Sequence, residues 1–395
     1  MPQILFVDDE PNVLQGLQRM LRPMRQEWEM EFTDGGAQAL AKLSEHSFDI
    51  VVSDMRMPKM DGNQLLTEVM RRHPQVVRII LSGHSDQEVI LKSVGVAHQY
   101  LSKPCDPETL KTTVARAIAL RDLMANVSLK GLVSQMRSLP CLPSLYVELV
   151  NELKKSDPSI KVVGEIISKD VAMTAKILQL VNSAFFGVCR RVSSPAEATS
   201  LLGLDIVRSL VLSIQVFSEF DQASVPGMPL EQLWQHSLKV GQYAKQIARA
   251  EGQDRRNTDD AFMAGVLHDT GKLILAANFS DSYNRAISRS KERQESLAAV
   301  ETQLFGASHG EVGAYLLGLW GFSHALIEAV AFHHHPNHSP YGGFSVLTAV
   351  HVANAFAHSE SSSNELAHPT SSLDAEYIAN LKLMDRIPQW QEACK

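Results

Sequence analysis

The chain has 395 residues, a formal net charge of -7 and 45% hydrophobic residues. That length exceeds one ordinary core and predicts two domains. The acidic balance, without a long basic block, argues against DNA or a membrane surface as the main partner. No apolar run reaches the ~20 residues a bilayer demands. The four cysteines (Cys105, Cys141, Cys189, Cys394) are scattered and form no C-x-x-C. They suit a reducing compartment and argue against a disulfide framework or a thiolate zinc site. Residues 1–7 run straight into acids rather than into a signal-peptide pattern, so the expected location is cytoplasmic. Fifteen histidines, most of them after residue 230, are the unusual feature.

Residues 1–105 alternate short apolar runs with helical patterns. "QILFV", "FDIVVSD" and "VVRIILSG" are continuous apolar runs, as strands buried on both faces require. "EMEFTDG" and "HQYLSKP" are weaker strands. "PNVLQGLQRMLRP", "AQALAKLSEH", "GNQLLTEVMRRH" and "DQEVILKSVG" carry helical spacing between them. Five strands with interleaved helices predict a doubly wound α/β domain with a parallel sheet, over residues 1–120. From Asp106 the pattern turns helical throughout. Pro107 sits where a first-turn proline belongs. Residues 121–139 (Leu123, Val127, Leu132, Met136) read as a helical connector, either a packed linker or a short dimer-forming coiled coil. Residues 140–395 are predicted to be an all-helical domain, with at least eight helices before residue 356 and a Ser-rich loop at 359–373.

Asp8, Asp9 and Asp54 all follow apolar strands, and in a doubly wound sheet chemistry gathers at the carboxyl ends. Three close carboxylates repel unless a cation neutralises them, and an all-oxygen cluster suits Mg²⁺. Lys103 ends a later strand and can reach the same pocket. Mg²⁺ with an ammonium is the surrounding a phosphoryl group in transit needs. One carboxylate would be the nucleophile.

These stretches ("ILFVDDEPNVL", "VVSDMRMPKMDG", "IILSGHSD", "YLSKP") resemble, in order and spacing, the receiver domain of two-component response regulators. The resemblance implies Asp54 as phosphoacceptor and Mg²⁺ on Asp8, Asp9, Asp54 and the backbone carbonyl of Arg56. It further implies Ser82 and Lys103 as the switch hydroxyl and ammonium, Tyr100 as the aromatic switch, and a sensor histidine kinase as partner.

Toward the C-terminus, His236 sits on one helical pattern and His268-Asp269 on another. His309 opens a third, His333-His334-His335 close a fourth, and His351 and Asn354 lie on a fifth. Each histidine alone reads as structural. The set, around a buried carboxylate that needs a charge partner, reads as a mixed His/Asp site suited to one or two ions of Fe, Mn or Zn.

Residues from about 130 to 356 resemble the HDOD domain, a signalling relative of the HD phosphohydrolases. "LPCLPSLYVELVNEL", "IISKDVAMTAKILQLVNSAFFG", "AGVLHDTGKLIL" and "SHGEVGAYLLGLWGFSHALIEAVAFHH" carry the likeness. Carried over residue by residue, His236, His268 and Asp269 match one metal's ligands, and Asp269, His309, His333 and His334 a second's. Lys272 matches the lysine after the doublet, a possible catalytic group. Two positions depart from the pattern. Asn354 stands where the HD family has its last Asp, and "HHHPNHSPYGGF" lacks a G-Y-P motif. The first weakens one metal; the second argues against cyclic di-GMP as substrate.

The expectation is a response regulator whose receiver controls a non-catalytic HDOD signalling output that retains a metal. The rivals are a phosphorylation-gated metal-dependent phosphohydrolase or phosphodiesterase, and a transcription factor. The acidic charge disfavours the last. A homodimer remains open, and the downstream partner is unnamed.

Overall fold

The structure is a computed structural model. It describes residues 1–82, 96–120, 123, 126–136, 140–141, 143–182, 192–208, 210–211, 218–219, 230–339, 342–359 and 373–395. The helix expected from "DQEVILKSVG" and most of the Ser-rich loop lie outside them.

The first domain is built from strands β1 (Gln3–Val7), β2 (Glu29–Thr33), β3 (Ile50–Asp54), β4 (Val77–Ser82) and β5 (Gln99–Ser102). They form one parallel sheet in the order β2-β1-β3-β4-β5. Helices α1 (Pro11–Met20), α2 (Gly36–Glu45), α3 (Gly62–Arg72) and α4 (Pro107–Ala119) complete it. The central strands β3 and β4 are buried along their whole length, which is why apolar residues dominate them, with Arg78 a buried exception inside β4. Helix α3 starts with a capping box, Asp61 with Gln64. Its first residue, Gly62, lies so close to β3 that an added Cβ would stand 2.2 Å from the Asp54 carbonyl oxygen. The glycine of "PKMDG" therefore lets the chain fold back against the end of the acid-bearing strand.

The expected connector is shorter than one continuous helix. Helix α4 ends at Ala119, and α5 (Val127–Ser134) restarts on an Asn126 cap whose side chain accepts the Leu129 N–H at 3.1 Å. Asn126 also donates to the Phe305 carbonyl at 2.8 Å. Asn126 thereby caps the start of α5 and ties it to Phe305.

The second domain is helical: α6 (Pro143–Leu153), α7 (Ile160–Ser168), α8 (Val171–Val181), α9 (Pro195–Leu202), α10 (Leu204–Arg208), α11 (Leu230–Ala250), α12 (Arg255–Leu267), α13 (Thr270–Asn278), α14 (Ser280–Arg293), α15 (Leu297–Phe305), α16 (His309–Leu319), α17 (His324–Phe332), α18 (Val346–Ser359), α19 (Ala375–Asn380) and α20 (Ile387–Ala393). Pro140–Cys141 and Ser218–Glu219 pair as a small parallel ladder. Among the described residues no helix is long and apolar enough to cross a membrane.

The two domains share a core. One apolar cluster fills one face of the sheet. The other runs from the opposite face through Leu120 and Leu129 into the helical bundle. At the seam, the last carbonyl of α5, on Ser134, would be an orphan of a helix end. It accepts from the His98 ring at 2.8 Å and from the buried Arg78 guanidinium. The Arg78 backbone N–H donates to His98 Nδ1 at 3.0 Å, so the His98 proton sits on Nε2 and points at Ser134. Ser134 Oγ meets the Tyr315 hydroxyl of α16 at 3.4 Å. Nearby, Gly318 of α16 leaves room for Leu120, which an added Cβ would meet at 2.2 Å.

Candidate functional site

The structure carries two clusters of chemistry, one per domain. In the first, Asp8 follows β1, Asp54 ends β3 and Lys103 follows β5, all at the carboxyl edge of the sheet. Lys103 Nζ lies 2.6 Å from Asp8 Oδ2 and bonds Asp54 Oδ1 as well. The Arg56 N–H donates to Asp54 Oδ2 at 2.7 Å, and the Glu10 N–H to Asp8 Oδ1 at 3.0 Å. Asp8 and Asp54 are buried, while Asp9 is half-exposed beside them. Burial pushes the Asp54 carboxyl above its ordinary range, more than Lys103 pulls it down. Burial works against the Lys103 charge, yet Asp54 and Asp8 hold that ammonium above its usual value. Ser82 ends β4, pairing with Ser102 in register, and Tyr100 is buried on β5.

The second cluster lies where α11, α12, α13, α16, α17 and α18 converge. Close backbone packing assembles it. A Cβ on Gly265 would stand 2.7 Å from the Gly241 Cα, so α12 rests directly on α11 and brings His268 toward His236. A Cβ on Gly271 would stand 1.9 Å from the His309 carbonyl oxygen, so α13 sits equally close to α16. That contact accounts for the glycine in "HDTGK". The His-Asp doublet is not inside a helix, as its apolar setting suggested. His268 closes α12 and Asp269 precedes α13. The break aims both side chains inward. His333 closes α17, as its place at the end of that helical pattern predicted.

All six expected ligand residues come together. The ligand atoms of Asp269, His309, His333 and His334 lie within 4.8 Å of one another, and so do those of His236, His268 and Asp269. Asp269 is shared. Its Oδ1 is 3.3 Å from His309 Nε2 and 3.9 Å from His333 Nε2. Its Oδ2 takes the Lys272 ammonium at 2.7 Å and lies 3.4 Å from His268 Nε2. His309 and His334 approach Nε2 to Nε2 at 3.0 Å.

The imidazoles are held by their outer nitrogens. His268 Nδ1 faces the Gly265 carbonyl at 2.7 Å, His333 Nδ1 the Val330 carbonyl at 2.8 Å, and His309 Nδ1 the Glu301 carboxylate at 2.6 Å. Each acceptor places the proton on Nδ1 and turns the Nε2 lone pair inward, as metal-ligating histidines do. Among the described residues, His268 Nε2, Asp269 Oδ1 and His333 Nε2 are buried without a hydrogen bond. Orphaned buried acceptors are costly, and a cation among them removes the cost. The site fits a metal on that ground.

The charges agree. Burial lowers His268 to about 4 and His236 to about 3, and takes His333 and His334 well below the ordinary histidine range. These imidazoles are neutral ligands at neutral pH. Burial alone would raise Asp269, but His268, Lys272 and His309 outweigh it and hold the carboxyl well below its usual range. For His309 burial is again the largest influence, opposed by Glu301 and Asp269, which together leave it raised.

Asn354 stands 3.0 Å from His236 Nε2 through its Oδ1. His351 is spoken for: its Nδ1 faces the His333 carbonyl at 2.8 Å and its Nε2 accepts the Asp374 N–H at 2.9 Å. It buttresses the site without joining it. Glu301 is the residue the sequence reading missed. Its one signal is a lone acid in the run "LAAVETQLF", eight residues before His309.

With this geometry in view, the comparisons with known proteins decide the assignment. The HDOD domain model matches residues 139–336, and the response regulator receiver domain model matches residues 4–115. The chain belongs to the HDOD family. It is a response regulator with a receiver domain and an HDOD output domain. An uncharacterized protein of Treponema pallidum is 26% identical over 249 residues, 61% of this chain and 47% of its own length. The DNA-binding transcriptional regulator NtrC of Escherichia coli is 31% identical over 137 residues, 33% of this chain and 29% of its own length. The chain thus spans less than half of either curated relative. Among solved structures, the MmoQ response regulator from Methylococcus capsulatus matches with 25% identity and a TM-score of 0.47, over 62% of this chain and 98% of that one. An HDOD protein of unknown function from Geobacter sulfurreducens matches at 23% identity and a TM-score of 0.34, over 72% and 98%. Receiver domains in general bind Mg²⁺ and take their phosphoryl group from a histidine kinase.

Proposed function

We propose that Asp54 accepts a phosphoryl group from a sensor histidine kinase, with Mg²⁺ held by Asp8, Asp9, Asp54 and the Arg56 carbonyl. Lys103 and Ser82 engage the phosphoryl oxygens, and Tyr100 passes the change toward the domain seam. The supporting observation is the Asp8–Lys103–Asp54 bridge, which gathers two carboxylates and one ammonium at the strand ends. Labelled acetyl phosphate with Mg²⁺ is expected to label the wild type and not Asp54→Ala. Equal labelling of both would overturn the assignment.

The HDOD domain, in this reading, is a signalling module holding one tightly bound Fe, Mn or Zn ion on Asp269, His309, His333 and His334. The second group is weaker. Lys272 already neutralises the Asp269 oxygen that faces His268, and Asn354 brings no charge to His236. Such an ion supplies a Lewis acid and fixed positive charge. The complete four-residue group also favours a second reading, a metal-dependent phosphohydrolase or phosphodiesterase gated by Asp54. Hydrolysis of nucleotides or cyclic dinucleotides with Mn²⁺ or Fe²⁺, abolished in Asp269→Ala, would replace the scaffold reading with the enzyme. The expected partner set is the kinase plus a downstream protein or ligand bound by the helical domain.

A further inference from the structure

We propose that Glu301 is a positioning residue of the metal subsite, fixing His309 as a ligand through a Tyr283–Glu301–His309 relay. The inference rests on the metal reading above. Glu301 lies on α15, is fully buried, and touches none of the ligand atoms that surround Asp269. Its Oε2 accepts the His309 Nδ1–H at 2.6 Å and the His309 backbone N–H at 2.7 Å. Its Oε1 accepts the Tyr283 hydroxyl at 3.1 Å. One side chain thereby clamps both the ring and the backbone of His309.

The clamp differs in kind from those on the other histidines. His268 and His333 are pinned by carbonyls one turn back in their own helices. His309 cannot be, because it is the first residue of α16 and has no preceding turn. A residue from another element must orient it. A carboxylate does more than a carbonyl: it raises the basicity of the imidazole and adds negative charge behind the cation.

Glu301 takes one N–H of the α16 N-terminus, that of His309, but capping alone leaves its contact with the His309 ring unexplained. The α16 N-terminus already has its own capping box, Ser308 with Glu311. A buried carboxylate is expensive unless its oxygens are satisfied, and Glu301 meets that condition by facing a ligand whose place as the first residue of α16 denies it an anchor in its own helix. Tyr283 is equally buried, and burial pushes its phenol well above the ordinary range, so it stays a donor to Glu301.

Replacing the acid by its amide predicts a specific failure. Gln can present its NH₂ to Nδ1, stabilising the tautomer whose Nε2 carries the proton. That proton would point at Asp269 and close the ligand position.

The test uses full-length protein, stripped with chelator and titrated with Co²⁺, whose visible absorption reports ligand geometry. Wild type is expected to take up Co²⁺ with an absorption band. Glu301→Gln should bind roughly 10- to 100-fold more weakly, the cost typical of losing such a partner, with an altered band. Tyr283→Phe should lose a smaller factor, and Glu301→Asp should recover part of the affinity. Wild-type affinity and spectrum in Glu301→Gln would overturn the proposal, leaving the metal site standing. No Co²⁺ uptake by the wild type would instead remove the metal reading itself. If Glu301→Gln does not fold, Tyr283→Phe decides: an unchanged band and affinity sink the relay.

Discussion

The two acid-centred sites of this chain handle charge in opposite ways. In the receiver, each oxygen of Asp8 and Asp54 has a partner, and Lys103 bridges them. The pocket is satisfied as it stands, with its ammonium and the half-exposed Asp9 toward solvent. In the helical domain, Lys272 answers only one oxygen of Asp269, while three inward-facing atoms lack a hydrogen bond among the described residues. That centre is closed and incomplete. An internal ammonium suits a site of transient chemistry, and orphaned ligands suit a resident ion.

The contrast can be broken most sharply at its two aspartates. Asp269→Ala is expected to lose the helical-domain ion entirely by elemental analysis, while Mg²⁺-dependent labelling of Asp54 persists. Asp8→Ala should do the reverse. Loss of both properties in either variant would mean the sites are not separate. Next in size is metal removal. An ion at about 100 times its dissociation constant adds about 2.7 kcal/mol to folding stability. Chelator should therefore lower the melting temperature of the wild type clearly and that of Asp269→Ala hardly at all.

Acid gives a third and smaller handle. His268 titrates near 4 in the folded protein, and an unfolded histidine near 6.5. The unfolded state takes its proton first, so stability is whole above pH 6.5 and falls as pH drops toward about 4. The loss from His268 is on the order of a few kcal/mol, at about 1.4 kcal/mol per pKa unit. Urea melts of chelated protein at pH 7, 6 and 5 should show it, and His268→Gln should flatten the slope. The smallest effect is expected from Asn354→Asp, which restores an anionic ligand beside His236. It should raise affinity for a second ion by roughly tenfold, the worth of about 1.4 kcal/mol. Unchanged stoichiometry would mean that Lys272 alone blocks the second position.

The receiver was legible because its signal is local. Asp54 and Lys103 each end or follow an apolar strand, and parallel sheets bring strand ends together. The six ligands of the helical domain were legible as residue types, and His309 and His333 as helix ends, but the helix break at His268 and Asp269 was not. His268 and Asp269 sit in an apolar run that reads as continuous helix. The packing around the break brings Gly271 against the His309 backbone, thirty-eight positions further along the chain. Glu301 was missed because a lone acid in an amphipathic helix ordinarily faces water. Its burial depends on Tyr283 and His309, on two other helices. The seam was invisible for the same reason: Arg78 and His98 look like ordinary strand residues until Ser134 supplies the acceptor.

Helix α16 has one end in each half of the molecule. Its first residue is the ligand His309, and its later turns carry Tyr315 and Gly318, which touch Ser134 and Leu120. Eleven residues rising about 1.5 Å each make a rod of roughly 16 Å. A rod cannot be pushed at one end without moving the other. Whatever factor receiver phosphorylation applies to ion affinity through this helix, ion binding must apply to the phosphorylation equilibrium in return. The cell's metal supply would then set how readily the switch is thrown.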